Sequence, residues 1–144
     1  MSLGVAGVGS YLPAGIRTAA EIADRSGIPE SVVREKFGIE SVRVAGPQDG
    51  AAEMATRALL AALGELPPEA VDLVVYCGSE HKDFTVWSAA IDVARQAGAS
   101  RAAAFEVHAL CAGTPIAIKT VRGMMAEDDS IETAVVVAAA REND

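Results

Sequence analysis

The sequence is poor in aromatic residues, in basic side chains and in cysteine, and each shortage removes a class of function. Aromatics make up 4% of the 144 residues, too few for the base-stacking platforms of nucleic-acid binders. Twelve Lys and Arg stand against twenty Asp and Glu, a net charge of −8, so the basic footprint that neutralises phosphates is missing as well. No nucleic-acid partner is expected. Two cysteines, Cys77 and Cys111, cannot build a disulfide framework, and their separation excludes the close pairs of zinc and CxxC redox sites. No metal is expected either. No run approaches eighteen apolar residues and the first basic residue is Arg17, so neither a membrane span nor the charged start of a secretory signal is legible. These readings predict a soluble, cytoplasmic protein with no membrane partner.

What is present is an apolar half, 51% of the chain, enough to bury one core and to predict a single domain. Residues 3–9 form a short apolar run broken by glycine, read as a strand, and residues 11–15 as the turn after it. Thr18 suits an N-cap for a helix carrying Ile22, and Pro29 an early residue of a second helix ending near Phe37. Val42, Arg43 and Val44 alternate as a short strand. Asp49 is the expected N-cap of the clearest helix, in which Ala55, Leu59, Ala62 and Leu63 share a face. Beyond it the pattern predicts strands at 73–76, 103–107 and 133–139, separated by helices at 88–97 and 112–125. Strands alternating with helices of this length specify an α/β fold with a mainly parallel sheet covered on both faces.

The glycines at 4, 7 and 9 suggest a dinucleotide loop, but Leu12 occupies the third position of that fingerprint and a proline follows. A strand end and turn is the simpler reading. Cys77, at the end of an apolar strand, reads as a buried small hydrophobe. Cys111 is different: it follows a strand, precedes a helix and is flanked by Ala112 and Gly113, so a second molecule can come close. A helix N-terminus favours thiolate and offers N–H groups to a thioester oxyanion, and Pro115 falls in the first turn, where its missing N–H is harmless. The corner is built for a nucleophile. A base is harder to find: His108, three residues before Cys111, reads as a structural histidine, and His81 sits with Glu80, Lys82 and Asp83 past a strand's C-terminal end, where a solvated loop and a ligand site are both open readings. Glu80 becomes an acid or base if burial raises its pKa.

The segments "GVGSYLP", "IRTAAEIADRSGIPESVVREKFGIESVRVA", "GAAEMATRALLAAL", "VDLVVYCGSE" and "AAAFEVHALCAGTPIAI" resemble, in this order, the ketoacyl-ACP synthase III branch of the thiolase superfamily. The resemblance implies the N-terminal half of a thiolase-like fold, with a buried helix after the nucleophile, and an acyltransferase of fatty acid or polyketide biosynthesis. Cys111 would take an acyl group from acyl-CoA before Claisen condensation with a malonyl thioester. No tightly bound cofactor is implied, the CoA thioester being a substrate, and an acyl carrier protein is a further candidate partner. In the family a tryptophan and an arginine hold the CoA adenine; Val32 and Lys36 stand at the matching positions, leaving Lys36 and Arg34 as candidate CoA phosphate contacts and Arg34, Lys36 and Arg43 as the one basic group for an acidic carrier. The family's homodimer, formed through the strand before the cysteine, would here use the strand that begins at Ala103 and ends at Val107.

The catalytic histidine and asparagine of that family belong to a second half that this chain lacks, so neither His81 nor His108 inherits the role. The apolar residues Ile116, Ile118, Val121 and Met124 would then be left exposed in some combination, and the chain alone would dimerise or need a partner and be inactive in condensation. Two other readings follow. Gly78-Ser79-Glu80 and Phe105-Glu106 are similar to hydroxymethylglutaryl-CoA synthase, which would make Glu80 the base acting on an acetyl group carried by Cys111. A non-catalytic subunit that completes another chain's site is the third.

Overall fold

The computed structural model describes residues 3–78, 83–84 and 86–141, which fall into two compact units. The smaller, residues 12–49, holds β1 (Gly15–Thr18), α1 (Ala19–Ser26), α2 (Glu30–Glu35) and β2 (Ser41–Val44), with β1 and β2 paired antiparallel. Thr18 does cap α1: its Oγ1 accepts from the Glu21 N–H at 3.3 Å while Glu21 Oε2 accepts from the Thr18 N–H at 2.7 Å, a reciprocal box that satisfies two otherwise orphaned donors.

The larger unit holds α3 (Ala51–Leu63), β3 (Leu73–Tyr76), α4 (Ala89–Ala97), β4 (Ala103–Glu106), α5 (Gly113–Glu127) and β5 (Ala134–Val137). Its sheet is parallel, in the order β4-β3-β5. β3 is therefore bonded on both sides, and its four residues are at most 1% exposed, which explains an unbroken run of Leu, Val, Val and Tyr where a half-solvated strand would alternate. Burying each contributes about 2 kcal/mol. Val74 and Tyr76 point into a cluster with Ala52, Ala55 and Leu59 of α3 and Ala90, Val93 and Ala94 of α4. Leu73, Val75 and Cys77 point the other way, onto Ala117 and Val121 of α5. Small alanines on both α3 and α4 let those helices approach closely. The Asp72 carboxylate accepts from the Glu132 and Thr133 N–H groups, each at 3.0 Å, and pins the start of β5 beside β3.

Two expectations need correcting. Residues 3–9 form no strand; they run against α3, where a Cβ on Gly7 or Gly9 would collide with the backbone at Ala62, and at Ala58 as well for Gly9. The glycines answer to close backbone approach, not to a strand end. The cap of α3 is also not Asp49. That carboxylate accepts from the Gly46 N–H at 2.8 Å and closes a turn, while the Ala51 and Ala52 N–H groups donate to Asp83, at 2.8 and 3.0 Å, from the loop after β3.

Candidate active site

The corner between β4 and α5 is tied down residue by residue. The Val107 N–H donates to Tyr76 O at 2.9 Å, extending the β4–β3 ladder one residue past the strand. Glu106, its side chain only 10% exposed, turns both oxygens to use: Oε1 accepts from the Ala89 N–H at 2.7 Å, at the start of α4, and Oε2 lies 2.8 Å from His108 Nε2. His108 is thus a partnered structural histidine, as its position suggested. Leu110 then adopts φ 46°, the one non-glycine residue with positive φ among those described. For a side chain branched beyond Cβ this costs about 1–2 kcal/mol, and such strain persists only where the surroundings over-determine it.

Leu110–Ala112 form one 3-10 turn that runs directly into α5, so Cys111 stands just before the helix, with its side chain exposed. The Ala112 and Gly113 N–H groups are already taken, by Ala109 O and Leu110 O; they are not free to hold an oxyanion in this arrangement. On the inner side Gly113 is fully packed on Cys77, whose Sγ also lies 3.5 Å from Thr114 Oγ1. Cys77 is 4% exposed, the buried packing residue its sequence context indicated. Behind it, Tyr76 donates its hydroxyl to Ala139 O at 2.8 Å, and burial, followed by the charges of Asp83, Glu106 and Cys77, pushes its pKa up to about 12.

Of the apolar residues expected to be bare on the helix after Cys111, Ile116 and Ile118 are 44% and 54% exposed, whereas Val121 is buried against the sheet and Met124 packs partly against it. Glu80 and His81 lie outside the described residues. In the smaller unit, Arg34 is engaged by Glu30 at 2.8 Å and by Glu40, and both neighbours raise its already high pKa. Its charge is largely spoken for. Arg43 donates to Pro13 O at 3.2 Å, and Lys36, the C-cap of α2, is exposed. Sequence reasoning did not find the capping work of Asp83 and Glu106, because each carboxylate meets a helix start remote from it in sequence. Among the described residues no group of three His, Cys, Asp or Glu could hold a metal ion, and no helix is long and apolar enough to cross a membrane.

Comparison with known proteins places this geometry in a class. No family model matches the chain. A β-ketoacyl-[acyl-carrier-protein] synthase III of Rhodobacter capsulatus is 31% identical over 135 residues, 93% of this chain and 42% of that protein. Among solved structures, 3-oxoacyl-(acyl carrier protein) synthase III of Pseudomonas aeruginosa is 28% identical with a TM-score of 0.76, over 84% of this chain and 37% of the other. The priming β-ketosynthase of the R1128 polyketide pathway is 26% identical with a TM-score of 0.81, over 94% and 41%. The fold is therefore thiolase-like. Within that class the chain is a relative of the β-ketoacyl-[acyl-carrier-protein] synthase III family, as the ordered segments of its sequence indicated. It spans about 42% of the length of the Rhodobacter relative.

Proposed function

We propose that this chain is the N-terminal half of a 3-oxoacyl-ACP synthase III-type condensing enzyme of the cytoplasm, and that Cys111 is its acyl acceptor. The observation that carries the reading is an exposed thiol on a constrained strand-to-helix corner, in a chain whose relatives bear that name. In the first half-reaction the Cys111 sulfur attacks the carbonyl carbon of an acyl-CoA. A carbon–sulfur bond forms, the CoA sulfur leaves with the electron pair of the broken bond, and the thiol proton ends on CoA. In the condensation that follows, a malonyl thioester loses its carboxylate as CO2, its α-carbon bonds to the acyl carbonyl carbon, and the Cys111 sulfur leaves with the electron pair of the broken carbon–sulfur bond.

Lys36 remains the better candidate for a CoA phosphate, since Arg34 is occupied by two carboxylates. β4 is an edge of the described sheet, the position from which a second copy could continue it. An acyl carrier protein would be the second partner. The test is intact-mass analysis after incubation with acyl-CoAs of short and long chain: an acyl adduct is expected that Cys111→Ala abolishes, and an unmodified mass throughout would end the proposal.

A further inference from the structure

Between β4 and Cys111 the chain makes one energetically unfavourable turn, at Leu110, and the structure holds it from both ends. Downstream the clamp is steric, Gly113 against Cys77. Upstream it is polar and reaches across the fold: Glu106 is fixed by the first N–H of α4 and in turn holds His108. Only Ala109 and Leu110 separate His108 from Cys111, so a shift of His108 passes directly to the thiol. A half-exposed histidine joined to a carboxylate that is 10% exposed is more than surface decoration, because the buried partner keeps its geometry while the exposed one is free to be held by it.

We infer that the Glu106–His108 pair is a positioning device for Cys111: Glu106, anchored on α4, holds His108 and thereby fixes the left-handed Leu110 turn that presents the thiol. His108 touches no reacting atom in this assignment and is not a base. The inference rests on the reading of Cys111 as acyl acceptor, but its test has an arm that does not. The rate of Cys111 alkylation by iodoacetamide and the rate of acylation by an acyl-CoA are to be measured in the chain and in three variants. His108→Ala removes the bond; Glu106→Asp is one methylene too short to reach Ala89 and His108 together; His108→Gln keeps a side-chain N–H donor at similar reach.

His108→Ala and Glu106→Asp are expected to change the alkylation rate severalfold, because a released corner alters the exposure and surroundings that set thiol reactivity, with His108→Gln returning it to near the parent value. Alkylation at the parent rate in both loss variants overturns the inference, and so does a His108→Gln variant as impaired as His108→Ala, since the hydrogen bond would then not be the cause. If the alkylation pattern holds while no variant or parent is acylated, the positioning role stands and the acyl-transfer reading falls.

Discussion

Gly113 sits directly on Cys77: a Cβ on the glycine would lie 2.9 Å from the Cys77 carbonyl oxygen and 3.4 Å from its Cβ. Because Gly113 has helical dihedrals, alanine there would ordinarily favour the helix by about 1 kcal/mol. The collision is with backbone and cannot be relieved by a rotamer. Gly113→Ala is therefore expected to destabilise, by about 1–3 kcal/mol, and to slow modification of Cys111. A urea denaturation midpoint at or above that of the parent would show that the corner has slack.

Asp83 and Asp49 separate two roles that proximity in sequence confuses. Asp83→Ala removes the acceptor for two N–H groups at the start of α3 and should cost about 1–2 kcal/mol. Asp49→Ala removes the acceptor of the Gly46 N–H, which closes a turn, and should leave α3 intact. Hydrogen exchange read at Ala51 and Ala52 distinguishes them: protection is expected to fall in the first variant and to persist in the second.

The Tyr76 hydroxyl gives a prediction in alkali. Its folded-state pKa, about 12, lies above the ordinary value near 10, so the folded state keeps a proton that the unfolded state releases. The stability linked to this group is complete below pH ~10 and drains away towards pH ~12, by roughly 2 kcal/mol. Tyr76→Phe should flatten that alkaline slope while costing about 1–2 kcal/mol at neutral pH, because Ala139 O loses its donor. An unchanged slope in the variant would mean that another group carries it.

Ile116 and Ile118 leave apolar surface open on α5, and such surface promotes association. Light scattering of the 144-residue chain is expected to show dimers or larger species, with Ile116→Gln combined with Ile118→Gln weakening association roughly tenfold. A monodisperse monomer at high concentration in the parent would count against the expectation.

Much of the larger unit could be read from the chain. The run Leu73 to Tyr76 has no polar residue to face water, so its strand was bound to be central, and the helix before Gly64 shows its buried face in the spacing of Ala55 and Leu59. β5 and α5 were found for the same reason, periodicity that one residue's surroundings do not alter. The turn expected at residues 11–15 and the cap expected at Thr18 left no strand between them, yet residues 15–18 form β1, because a short strand depends on its partner and Arg17 gains its conformation from pairing with Val42. The helix cap failed for a related reason. Asp49 is adjacent to α3 and Asp83 is 32 residues from Ala51, and no local pattern distinguishes a carboxylate that arrives from across the fold. At the candidate site the corner that carries Cys111 was legible because strand, small residues and helix are consecutive; the contact of Glu106 with Ala89 was not, since it depends on where α4 begins.

The central place of β3 has a consequence for biosynthesis. Its register with β5 pairs Leu73 with Ala134, so the ribosome must add about sixty residues after β3 before that edge can be closed, roughly 3–12 s of elongation. Throughout that interval the strand destined to be the most deeply buried has one flank without its final neighbour. A chaperone that shields extended apolar segments during translation would find its natural window there, and slowing elongation after Tyr76 would lengthen the time for which this strand can pair with the wrong chain.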